Sequence, residues 1–210
     1  LEEKGSSPNT VSVHLRTLRA LYNSAINENI VPESLYPFRK LKIKNAKTLK
    51  RAIDKEYIIK LRKLKLQEKS ETDKARDFFL FSFNMRGMSF VDIAFLKTDN
   101  IIGERIEYKR QKTGQHFSIK ITDEARKIIT KYCDCQIQGK YVFPIVKRRG
   151  SEFLDYRNAM RLTNKKLKDI SKMIDSPIPL TTYVSRHSWA TIAKKSGYNT
   201  SIISEGLGHD

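Results

Sequence analysis

Residues 181–210 read TTYVSRHSWATIAKKSGYNTSIISEGLGHD, and this stretch decides how the rest of the chain is read. Trp189, Ile192 and Ala193 fall at helical spacing, so the pattern predicts a helix over about 182–196. Gly197 follows it, and a second short helix is expected over 200–207, closed by Gly208. Arg186 and His187 stand in the first turn of the longer predicted helix, where exposed amides favour anions and a bare cation is unfavourable. An Arg at that place makes sense when an anion binds beside it. His209 follows the capping glycine, one residue from the last in the sequence.

Working back from this end, the 210 residues carry 41 Lys and Arg against 23 Asp and Glu, a formal charge of +18. Such an excess fits a polyanionic partner, because each cation placed near a phosphate releases condensed counterions. Hydrophobic residues at 39% and aromatics at 10% are enough for a packed core. No apolar run is long enough to span a bilayer, and no basic stretch is joined to an apolar, Trp-rich face. Cys133 and Cys135 form a C-x-C pair without partners, which reads as two thiols rather than a metal site. These features together read as an intracellular protein.

The chain then divides by pattern. Val11, Leu15, Leu18, Tyr22, Ala25 and Ile26 form an amphipathic stripe over 10–28, with Pro8 after Ser7 at its start. One such helix cannot bury its stripe alone, so the rest of its domain is expected upstream of Leu1. Pro32, Pro37 and the basic run from Arg39 to Arg51 make residues 30–53 an expected extended, unpacked linker. Asp54 is a candidate N-cap for a helix to about Leu66, and RDFFLFSFNM (76–85) is apolar almost all round, as a core helix is. Ser89 can cap a short helix through Leu96. Ile106 and Tyr108, then Phe117, Ile119 and Ile121, alternate with polar residues around Lys112-Thr113-Gly114, which predicts an antiparallel hairpin. Helices are expected again over 123–133 and 152–174.

Three further positions have two readings each. Arg86, at the edge of the apolar helix, is either paired in a buried salt bridge with Asp92 or pointed into a cleft. Lys112, at the hairpin tip, is either a solvated turn residue or a mobile cation reaching a nucleic-acid groove. His209 taken alone is structural, and gains meaning in company.

That company is a set of four ordered boxes: MRGMSFVDIAFLKTDNI (85–101), YKRQKTGQHFSIKI (108–121), LTTYVSRHSWATIAKKSG (180–197) and ISEGLGHD (203–210). In this order the sequence resembles the tyrosine recombinase (phage integrase) family, and within it integrases of bacterial mobile elements, over roughly residues 7–210. The resemblance implies an α+β, mainly helical catalytic domain with a small antiparallel sheet over 54–210. It implies a helix from an N-terminal core-binding, DNA-binding domain over 1–38 and a basic linker over 39–53. The family's first arginine, hairpin lysine, second arginine and Gly-His histidine correspond to Arg86, Lys112, Arg186 and His209. Tyr183 stands where the family's His-x-x-Arg box has histidine, and His187 completes a common Arg-His pair. The tyrosine nucleophile is expected about nine residues beyond the Gly-His box and is not in this sequence, so the chain is expected to be a fragment that binds DNA without cleaving it.

The activity implied is cleavage and rejoining of DNA through a 3′-phosphotyrosyl link, without metal, cofactor or small-molecule substrate. Arg86 and Arg186 would cradle the phosphate, because guanidinium forks match its oxygens. Lys112 would act as general acid toward the departing 5′-oxygen, and His209 would donate to a non-bridging oxygen or position the nucleophile. Tyr183, a phenol, would donate a hydrogen bond yet make a weak base. The implied partners are duplex DNA, clamped by both modules, and further copies in a tetramer on DNA; the implied place is the bacterial cytoplasm, at the nucleoid. The competing readings are a non-catalytic DNA-binding or architectural protein derived from a recombinase, and an RNA-binding basic protein.

Overall fold

A computed structural model of the chain describes residues 5–43, 46, 51–133 and 139–208. The chain falls into two compact units, Leu1–Leu49 and Lys50–Asp210.

The first unit is built on α1 (Pro8–Asn27). It opens with the Ser7 side chain accepting from the Thr10 amide, and proline sits in its first turn, where a missing N–H costs nothing. The extended linker expected over 30–53 is corrected here. Glu33–Leu35 form a 3₁₀ turn, and the following YPF motif folds back on the helix. Tyr22, Tyr36 and Phe38 make a three-ring cluster with centroids 5.7–6.2 Å apart. Arg19 Nε donates to Tyr36 Oη at 3.0 Å, and Asn9 exchanges two hydrogen bonds with the backbone of Ala46. Aromatic burial outweighs the two prolines and the basic charge that suggested a tether. Lys44, Lys47 and Lys50 of the basic run lie outside the described residues.

The second unit is mainly helical with one small sheet. In order it contains α2 (Lys55–Lys63), α3 (Glu71–Asn84), α4 (Phe90–Ala94), β1 (Ile101–Ile102), β2 (Arg105–Lys109), β3 (His116–Lys120), α5 (Asp123–Tyr132), α6 (Glu152–Met173), α7 (Thr182–Lys195) and α8 (Thr200–Leu207). Helix α3 is the hub and packs against α5, α6 and α7. Its Phe78, Phe79, Leu80 and Phe81 are all buried, as a helix apolar on every side requires. Phe143 caps this cluster, with its ring edge-on to Phe78 and Phe81 at 5.5 and 4.8 Å. The polar start of α3 is buried too. Asp73 and Asp77 are neutralised there by Arg76 and Lys131, and Tyr132 Oη donates to Asp77 at 2.8 Å. A buried carboxylate pair survives only with such partners.

The sheet has the order β1-β2-β3 and is antiparallel throughout. In the hairpin Ile106 faces Ile119 and Tyr108 faces Phe117, so one face carries the apolar alternation seen in the sequence. Ile106 and Ile119 are buried, and Tyr108 stacks on Phe117. The short β1 is an addition that the alternation does not signal, since two residues carry no period. Asp54 precedes α2 as expected, but its carboxylate pairs with Lys195 instead of capping the helix. No helix among the described residues is long and apolar enough to cross a membrane.

Candidate functional site

The site grows from the break after α3. Gly87 N donates to Ser82 O at 2.8 Å, closing the helix in a left-handed C-terminal turn. Arg86 occupies the left-handed position of this turn with φ 54°, where glycine is usual. Its neighbour Gly87 has φ +73°, and a Cβ there would lie 2.8 Å from both Cα and Cγ of Arg186. Only glycine permits that approach, and the approach brings the Arg86 turn directly against Arg186 of α7. Behind the contact, Ser82 Oγ bonds Met88 O at 2.7 Å and meets Ser185 Oγ at 2.5 Å, a fully buried polar tie between α3 and α7.

The end of α8 is the third wall. Arg186 Nη1 donates to Gly87 O at 3.0 Å, and Nη2 donates to Leu207 O. The Arg86 side chain reaches the same helix end, its Cδ 3.8 Å from the β position of Gly206. Gly206 itself is pressed on Trp189, whose ring would lie 2.9 Å from an added Cβ. The hairpin closes the fourth side. Gly208 (φ +65°) caps α8, and Gln115 Oε1 and Phe117 Cζ would each lie 2.4 Å from a Cβ on it. Arg110 Nη1 donates to Leu207 O and Gly208 O at 3.2 and 3.3 Å.

Asp92 is the acid of this region, and its position corrects the salt bridge considered for Arg86. Asp92 is buried, accepts from Ser89 Oγ at 2.5 Å and from Gln111 N at 2.9 Å, and thereby ties the hairpin to α4. Arg86 is exposed instead. The ion pairs of Arg76, Lys131, Arg148 and Lys195 lie elsewhere. Among the described residues, Arg86, Arg110 and Arg186 have no carboxylate partner. Burial pushes the Arg186 pKa down, and the charge of Arg110 adds to that.

The structure thus packs the backbone turn of Arg86 on Arg186, runs the Arg86 side chain along Gly206, and holds the hairpin of Lys112 against the end of α8. Lys112 is exposed in the turn closed by Arg110 N to Gln115 O and Gly114 N to Arg110 O. Arg186 is the fifth residue of α7 rather than part of its first turn, so the helix-start argument for it gives way to the contacts above. Tyr183 is 60% exposed, and its ring meets His187 edge-on at 4.4 Å. Burial and the charges of Arg186 and Arg51 lower the His187 pKa and favour the neutral ring. His209 lies outside the described residues, immediately after Gly208. Sequence reasoning missed Arg110 and the anchoring role of Asp92. The first stood in plain view in the run Tyr108-Lys109-Arg110-Gln111-Lys112, whose alternation puts Arg110 on the face of Tyr108.

Comparison with known proteins agrees with this architecture. Residues 1–45 match the phage integrase SAM-like domain. No curated protein sequence matches the chain. Among solved structures, a lambda integrase dimer bound to a COC′ core site aligns with a TM-score of 0.65 at 13% identity, over 93% of this chain and 67% of that one. The fold is the one seen in solved integrase and recombinase structures. The Tn1549 transposon integrase in complex with transposon right end DNA aligns over 100% of this chain and 74% of its own, with a TM-score of 0.62 at 16% identity. XerA recombinase gives 0.53 at 18% identity, over 96% and 71%.

Proposed function

We propose that this chain belongs to a site-specific DNA recombinase and supplies its phosphate-holding body. The first unit, a match to the integrase SAM-like domain, contributes part of the DNA-binding domain, and the second is the catalytic domain. The observation that supports the reading is the packing of the Arg86–Gly87 turn on Arg186, with both side chains at the end of α8 and no acid paired to either. Two guanidinium groups without a counter-charge are suited to the two non-bridging oxygens of a phosphodiester, whose charge grows as the phosphorane forms. The solved relatives supply a second support, since the lambda and Tn1549 integrases are described bound to DNA.

In this reading Lys112 protonates the departing 5′-oxygen from its exposed turn, and His209, next after Gly208, donates to the phosphate or aligns the attacking group. Tyr183 hydrogen-bonds the phosphate in place of an imidazole, and neutral His187 supports its ring. The attacking tyrosine is not among the described residues. Tyr108, beside Arg110 and Arg186, has a phenol pushed well above its ordinary pKa by burial and by Asp92, which makes it a poor nucleophile. These residues therefore bind and polarise the phosphodiester without cleaving it.

A double-mutant cycle tests the cradle. Arg86→Gln, Arg186→Gln and the double variant are compared by fluorescence anisotropy on a labelled DNA duplex at low salt. One shared phosphate predicts coupling of about 1 kcal/mol or more between the two substitutions. Strictly additive losses mean two separate sites and reject the proposal. A matched RNA duplex, bound as well as DNA, favours an RNA-binding protein instead.

A further inference from the structure

We infer that Arg110 is a third phosphate-contacting guanidinium, a catalytic residue beyond the arginine pair and the hairpin lysine; the inference rests on the phosphate-cradle reading. Arg110 and Arg186 come from elements far apart in sequence, yet both donate to one acceptor, the carbonyl of Leu207. A single arginine on the last carbonyls of a helix is ordinary, because that end carries roughly half a negative charge. Two arginines on one carbonyl exceed what the helix end can balance. Asp92 offsets part of the surplus through its charge, but its oxygens accept from Ser89 and Gln111 and bond neither guanidinium.

The geometry of the remaining donors points the same way. Nε and Nη2 of Arg110, and Nε of Arg186, have no acceptor among the described residues. These are the donors that a planar fork offers to a tetrahedral anion. The hairpin holds Arg110 in place from both sides. Its amide and carbonyl close the turn with Gln115 and Gly114, and Gln115 and Phe117 pack on Gly208. Arg110 is thus fixed where an anion between the hairpin and α8 would meet it. Leu207 O and Gly208 O, neutral acceptors bearing partial charge, stand where charged phosphate oxygens would make stronger bonds.

The test is a titration of the arginine Nε–Hε resonances with inorganic phosphate at constant ionic strength, with chloride as the reference salt. Arg110 and Arg186 are expected to shift together with one apparent Kd. In Arg110→Gln, the Arg186 response should need about tenfold more phosphate, whereas Arg110→Lys, which keeps the charge without the fork, should recover only part of that loss. A resonance of Arg110 that stays still while Arg186 shifts overturns the inference and leaves the cradle intact. The same holds if Arg110→Gln leaves the Arg186 affinity within twofold of the parent chain. If neither arginine responds to phosphate, the cradle itself falls, and the inference with it. The wild-type titration needs no variant to fold, so a destabilised Arg110→Gln protein does not remove the test.

Discussion

Replacing Gly87 with alanine changes no charge and removes no donor, yet it should damage both stability and anion binding. Two terms add. The φ of +73° is costly for any residue with a Cβ, by about 1–2 kcal/mol. The new methyl would also sit 2.8 Å from Cα and Cγ of Arg186, and displacing backbone to make room costs about 1–3 kcal/mol more. Loss of unfolded-chain freedom returns about 0.4–1 kcal/mol. The net loss is about 3 kcal/mol, a fall in Tm of roughly 6–12 °C for a domain of this size. Gly114→Ala is the built-in control, because Gly114 has φ +70° with nothing within 4 Å of its β position. It bears the dihedral cost alone, so urea denaturation of the two variants isolates the contact. Arg186 should move in Gly87→Ala and weaken DNA binding, while Gly114→Ala leaves the Arg186 environment unchanged. If the two variants lose stability equally, Gly87 is not held close to Arg186, and the argument that joins the two arginines is wrong.

Arg86 has φ 54°, so Arg86→Gly relieves left-handed strain that Arg86→Ala retains. The glycine variant should be the more stable of the two by about 1 kcal/mol in urea, although both lose DNA affinity; an alanine variant as stable as glycine would deny the strain. His187 gives a pH signature. Its folded pKa lies below the ordinary 6.5, so the unfolded chain binds the extra proton first. Its contribution is therefore present above pH 6.5 and is lost as pH falls below that value. The acid-side slope of stability, followed by thermal unfolding at several pH values, should shrink in His187→Asn, and an unchanged slope would assign the titration elsewhere.

Much of the second unit was legible because its signals are strong and local. The all-apolar RDFFLFSFNM segment leaves no side for solvent, and the alternation through Ile106 and Ile119 fixes one buried face of a hairpin. Four ordered boxes pointed to the turn of Arg86, the hairpin of Lys112 and the helix of Arg186, three segments that the fold places around the end of α8. What escaped has a physical cause in each case. The fold-back of residues 33–38 rests on three rings that meet across a turn, whereas prolines and lysines dominate the local composition. The tie from Asp92 to the hairpin runs to a backbone amide at Gln111, and backbone donors have no letter in the sequence. Arg110 looked like one more cation in a basic chain. Its importance depends on the end of α8, about a hundred residues away, arriving beside it.

The tight contacts of the site share one feature, which bears on why it assembles at all. Positive charges repel, so nothing electrostatic would draw Arg86, Arg110 and Arg186 together during folding. They are forced together by packing that is indifferent to charge: Gly87 against Arg186, Gly206 against Trp189, and Gly208 against Phe117. Three glycines let three elements approach more closely than any side chain would allow, and the core built on α3 supplies the driving force. Carbonyls at the end of α8 then absorb part of the repulsion. In the proposed reading such a site is poised before its ligand arrives, because the cost of gathering the charges is met by folding and a phosphate would enter a field already aimed at it.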